Sequence, residues 1–148
     1  RGYTLDTATR AMGMTLDDIR VPRPEIPLGP ADWAEYLRMD SLPPDFLEHA
    51  DHAAFHLLAA RIDGEMVAAA LAYDFGGDCG IYNVGTVEKA RRRGLGTALT
   101  AAQVHDARDR GCQTASLQST EMAERVYAAV GFRDLGRILE YVPVEGQR

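Results

Sequence analysis

The stretch that decides the reading is Val87–Ala102, "VEKARRRGLGTALTAA". Three arginines and two glycines stand between a strand-like run and a helix-like run. Such a junction suits a nucleic-acid patch, a cradle for a phosphate, or an ordinary helix start with solvated charges. The first backbone N–H groups of a helix have no internal partner. Together with the helix dipole they favour an anion at that end. Glycines let the backbone approach a bulky anion and take unusual φ, and arginines add charge-assisted hydrogen bonds to phosphate oxygens.

Working outward, the bulk of the chain weighs against nucleic acid. It has 148 residues and a net charge of −6, which suits one compact domain. A protein that grips nucleic acid through phosphates shows a basic face or a basic total. Local basicity in an acidic chain points instead to a small anionic ligand, or to nothing. No apolar run approaches the roughly 20 residues of a membrane span, and no signal peptide is visible. Cys79 and Cys112 are the only cysteines. They form no disulfide framework and lack C-x-x-C spacing, so a reducing cytoplasm is the expected setting.

Periodicity predicts an α/β fold with a mixed sheet. Residues 1–20 read as two short strands, separated by a Pro-rich linker over 21–30 from a domain spanning 31–148. "ADWAEYLRMDSL" and "PPDFLEHADHAA" read as two short helices. Asp63-Gly64 between two apolar runs predicts a hairpin, and "CGIYNVGTV" a further strand. "RGLGTALTAAQVHDARDRG" reads as an amphipathic helix with Leu95, Ala98, Leu99 and Ala102 inward and "HDARDR" as a solvated face. "CQTASLQ" is a strand, "EMAERVYAAVG" a helix, and "FRDLGRILEYVP" a final pair of strands. That last pattern faintly echoes residues 1–20, as in a chain cut from a tandem pair that keeps the tail of a first half.

Spacing excludes two rival readings of the turn. No Gly-Lys-Ser or Gly-Lys-Thr follows it, so it is not a Walker loop, and the third glycine of a dinucleotide fingerprint is replaced by Leu99. Asp74-Phe75-Gly76 has no kinase catalytic loop beside it. His49, His52 and His56 have helical spacing, but they span a helix-to-strand change and no Cys accompanies them, so no metal is expected.

Two separated patterns carry a family resemblance. "RRRGLG" matches [RQ]-x-x-G-x-[GA], and "AERVYAAVGF" supplies Ala123, Tyr127, Gly131 and Phe132. Residues 80–132 thus resemble the core of the GNAT superfamily of N-acetyltransferases. The resemblance extends over roughly 26–143 and leaves residues 1–20 unexplained. It implies a mostly antiparallel twisted sheet flanked by helices. It also implies direct transfer of an acetyl group from acetyl-coenzyme A to an amine, small molecule or peptide, in a ternary complex. Arg91, Arg92, Arg93, Gly94, Leu95, Gly96 and Thr97 would grip the pyrophosphate. The backbone of Val84, Gly85 and Thr86 would meet the pantetheine arm and thioester carbonyl, and Thr120 stands where many relatives carry a cofactor-contacting Asn. Tyr127 would be the general acid, since a phenol with pKa about 10 stays protonated at neutral pH. The strand "TASLQ" lacks the carboxylate that some relatives use as base. Glu121 is the nearest acid, with Asp74, Glu88 and plain water as alternatives. Trp33, Tyr36 and Met39 fall on the acceptor side in relatives, and the acidic total favours a cationic amine. A non-catalytic acyl-coenzyme A-binding or scaffolding domain is the alternative reading. No nucleic acid, membrane or metal partner is expected, and a homodimer stays open.

Overall fold

The structure is a computed structural model and describes residues 2–144. In chain order its main elements are β1 (Tyr3–Thr15), β2 (Leu28–Gly29), α1 (Trp33–Met39), β3 (Phe55–Ile62), β4 (Glu65–Phe75), β5 (Asp78–Thr86), α2 (Leu95–Asp109), β6 (Thr114–Ser119), α3 (Glu124–Val130) and β7 (Arg133–Pro143). The strands form one sheet in the order β2-β3-β4-β5-β6-β1-β7. All neighbouring pairs are antiparallel except β5–β6. This is the mixed, mostly antiparallel α/β architecture expected.

The centre of the sheet is covered on both sides, and β4 reads "EMVAAALAYDF" for that reason. Ala68 and Ala70 meet Leu99 of α2, whereas Ala69 and Leu71 meet Tyr36 and Leu37 of α1. Alternate residues of a strand face opposite ways, and alanine on both faces brings a helix close on each. The hairpin forms as predicted, with Asp63 at φ 52 and Gly64 at φ 79.

Four expectations are corrected. Residues 1–20 hold one long strand and a 3-10 turn at Leu16–Asp18, not two short strands. The polar break at Asp6 is absorbed as a bulge between Leu5 and Thr7. β1 lies inside the sheet, between β6 and β7, and buries Met12, Met14 and Leu16. "FRDLGRILEYVP" is likewise one strand, bulged where Gly136 faces Ala11 and Asp134 faces Met12. "PPDFLEHADHAA" forms turns and one 3-10 turn at His52–Ala54, because Asp51 caps only that turn, through the N–H of Ala53. Finally, the "HDARDR" face is not merely solvated. Arg23 pairs with Asp106 and, at 2.6 Å, with Asp109, while His105 Nε2 hydrogen-bonds the Val21 carbonyl at 2.8 Å. These bonds pin the start of the Pro-rich segment to α2.

Candidate active site

The site begins where two parallel strands part. β5 pairs with β6 only from Asp78↔Thr114 to Ile81↔Leu117. Beyond that point β5 runs on to Thr86 and β6 to Ser119 without a ladder between them. On its other edge β5 keeps β4, through a bulge in which residues 83 and 84 oppose Ala70 alone. A bulge bends and twists its strand, and this one turns β5 away from β6. The wedge so opened holds a cavity of about 380 Å³. Ile81, Tyr82 and Val84 form one wall, and Gln118 and Thr120 the other. Tyr127 and Ala123 close the end, with Thr9 of β1 beside them. Among the described residues no carboxylate lines it.

The wedge leads along β5 to the Gly-rich turn. A 3-10 turn at Glu88–Ala90 follows the strand, and Arg91 Nε donates to the Thr86 carbonyl at 3.1 Å, bracing the loop. Arg92 sits at φ 67 and Gly94 at φ 73. A left-handed arginine is strained, and such residues gather at binding loops. Gly94 is the N-cap of α2 and offers no side-chain oxygen. The first helical bond is Ala98 N–H to Gly94 O at 3.0 Å, so the N–H groups of Leu95, Gly96 and Thr97 have no partner within the helix. A β-carbon built on Gly94 or Gly96 would meet nothing within 4 Å. Arg92 and Arg93 are exposed, and among the described residues neither bonds a carboxylate. Bare donors, open space and free cations fit a diphosphate.

Tyr127 is buried, 8% exposed, edge-on to Phe132 with ring centroids 6.2 Å apart. Burial raises its pKa above the ordinary phenol value, so the proton is held even more firmly at neutral pH. The structure therefore brings Val84, Thr120 and Tyr127 to one cavity, with Gly85 behind Val84. Glu121 does not line it. It sits on a separate shallow basin with Arg10, Glu124 and Arg137. Asp74 does not line the cavity either, and its carboxylate is already engaged. Arg110 grips both its oxygens at 2.6 and 2.9 Å and holds its pKa at about 2. Glu88 is exposed in the 3-10 turn. His52 bonds the Leu47 carbonyl and His56 lies 3.3 Å from Asp74, so the histidines do not converge. Thr9, Tyr82 and Gln118 were missed in the sequence, because only the placement of β1 beside β6 brings Thr9 and Gln118 together, at 2.6 Å.

Family comparison decides the class. The model of the acetyltransferase (GNAT) family matches residues 19–132. The chain belongs to that family. This GNAT domain is also 33% identical over 113 residues to the aminoglycoside N(6')-acetyltransferase type 1 of Serratia marcescens, covering 66% of this chain and 73% of that one. Its fold superposes on the GCN5-related N-acetyltransferase from Kribbella flavida with a TM-score of 0.70 at 22% identity, covering 98% of this chain and 61% of the other. The GCN5-related N-acetyltransferase from Sphaerobacter thermophilus gives 0.70 and 22%, covering 96% and 53%. The GNAT domain thus spans little more than half the length of those two solved chains. Family membership and the curated relative support N-acetyltransferase activity as its general class.

Proposed function

We propose that this GNAT domain transfers the acetyl group of acetyl-coenzyme A to a cationic amine by direct attack in a ternary complex. The observation that carries the reading is the parting of β5 from β6 in a wedge that continues to a bare helix N-terminus. The N–H groups of Leu95, Gly96 and Thr97, assisted by Arg91, Arg92 and Arg93, hold the pyrophosphate. Open space at Gly94 and Gly96 lets it close on the backbone. The unpaired edge of β5 at Val84, Gly85 and Thr86 takes the pantetheine arm and polarises the thioester carbonyl. Thr120 borders the same wedge. Tyr127 gives its proton to the departing thiolate.

Charge supports a cationic acceptor. Residues 31–54 carry six carboxylates against one arginine, a net of −5 out of the chain's −6. Glu35 is taken by Arg61, at 2.6 Å. Asp45 and Glu48 border a cavity of about 390 Å³ walled by Trp33 and His52, on the α1 side of the sheet. The Serratia relative's aminoglycoside is such a polyamine, and an amino sugar is the natural first acceptor to try.

Acetyl-coenzyme A is expected to raise the melting temperature and to release free thiol when kanamycin or spermidine is added. Absence of any thermal shift would sink the reading at its first step. Tyr127→Phe is expected to keep the shift while lowering kcat by about 100-fold. An unchanged kcat across pH would remove Tyr127 from the acid role.

A further inference from the structure

On the α1 side of the same strand lies a second opening. It has a volume of about 300 Å³ and is bordered by Asp40, Leu42, Val84 and Gly85. Val84 thus stands between this opening and the wedge that Tyr127 closes. A group entering here meets the thioester carbonyl proposed above from the side opposite Tyr127. Among the described residues, the carboxylate at this opening is Asp40.

Asp40 breaks several local rules at once. It caps the C-terminus of α1, where the helix dipole disfavours negative charge. Its Oδ2 is shut off from water and has no hydrogen-bond partner. The next residue, Ser41, is held at φ 54, an uncommon conformation for a residue other than glycine. The side chain of Tyr36 hydrogen-bonds the carboxyl, yet burial outweighs that bond and raises its pKa. Among the described residues, the walls of the opening carry no charged or titratable group apart from Asp40. Buried polar groups left unpaired in a folded protein call for an explanation, and local rules fail most often at functional sites.

We propose that Asp40 is the proton acceptor for the attacking amine. The proposal rests on the acetyl-transfer reading given above. The ammonium of the acceptor enters between Asp40 and Val84 and pairs with the orphaned Oδ2. At a partly desolvated carboxylate both partners are pushed towards neutrality, because desolvation raises a carboxyl pKa and lowers that of an amine. The proton therefore passes from nitrogen to Oδ2: one N–H bond breaks and one O–H bond forms. The freed lone pair attacks the acetyl carbon. The tetrahedral adduct collapses with loss of the C–S bond, the thiolate takes a proton from Tyr127, and the new amide's surplus proton returns to the tyrosine oxygen through solvent. Asp40 then releases its proton to water, so the net products are amide, free thiol and one proton. Tyr36 is a positioning residue that aims the carboxyl.

The test compares wild type with Asp40→Asn and Asp40→Glu, using acetyl-coenzyme A with kanamycin and with spermidine. Thiol release is followed from pH 5 to 10. Asp40→Asn is expected to melt no lower than wild type, because it removes a negative charge from the C-terminus of α1 while leaving one unpaired polar atom where there was one, and to keep the acetyl-coenzyme A thermal shift. Its kcat is expected to fall by about 100-fold and to climb steadily with pH as solvent takes over the proton, where wild type levels off. Asp40→Glu is expected to restore part of the rate. An active wild type with an Asp40→Asn variant of equal kcat and equal pH profile overturns the role of Asp40 alone. A wild type that binds acetyl-coenzyme A but acetylates neither amine overturns the cationic-amine reading and the role of Asp40 with it.

Discussion

At Gly96 nothing in the packing of the described residues requires the side chain to be absent. The residue lies in the first turn of α2 with ordinary helical φ, and a methyl group there would meet no atom within 4 Å. Alanine is favoured over glycine in a helix by about 1 kcal/mol. Gly96→Ala should therefore melt at the same temperature as wild type or slightly higher, yet bind acetyl-coenzyme A more weakly in calorimetric titration. Gly94 differs, because φ 73 strains any residue with a β-carbon. Asp74 shows how a chemically suggestive residue can be structural. Its pKa is lowered in the folded state, so the pairing with Arg110 stabilises the fold above the unfolded carboxyl value near 4 and is lost as pH falls towards 2. Arg110→Ala should cost about 1 kcal/mol at pH 7, after allowance for solvent screening. That gap should close by pH 2, as read from urea unfolding of both proteins. Tyr127 and the glycines of the turn were legible in the sequence because their spacing is local. Asp40 was not, since its significance lies in an absent partner and in a strand more than 40 residues away.

Among the elements, α2 was the most legible. Gly94 opens it, and Gly111 at φ 98 follows its end. Its inner face was only half read. Leu99 and Ala102 are buried as expected, but so are Thr100 and Gln103. Thr100 returns its hydroxyl to the Gly96 carbonyl at 2.8 Å. Gln103 reaches across the sheet, donating from Nε2 to the His56 and Ala70 carbonyls at 2.9 and 3.0 Å. This ties α2 to β3 and to the residue of β4 that faces the bulge. Gln103→Leu keeps roughly the volume and removes both bonds, but it also removes an Oε1 that is buried without a partner, so it should cost about 1 kcal/mol, measured as a lower urea midpoint with unchanged slope. A polar residue at such a position looks solvent-facing in sequence, because its partners are main-chain atoms that no side-chain pattern records. The hairpin of β3 and β4 was legible for the opposite reason: its turn is two residues long and chemically explicit.

For the whole molecule, the decisive feature hidden from sequence is the seat of β1. Its first half pairs only with β7, in a ribbon whose residues are mostly exposed on both faces, so apolar alternation carried no burial signal. Its second half supplies Met12 and Met14 to the main core. Deleting residues 2–15 should therefore abolish the cooperative urea transition. A shortened chain that unfolded as sharply as the parent would show that the sheet closes without this strand. The ladder also joins distant parts of the chain: Tyr3 faces Pro143, and Arg10 faces Ser119. Pairings across such separations carry the full entropy of loop closure before they return any contact energy. During synthesis β1 emerges before either strand it will lie between. Met12, Met14 and Leu16 then stay uncovered while more than a hundred further residues are added, the period in which aggregation competes with folding. A strand made before both its neighbours thus has its place in the sheet filled only after they arrive.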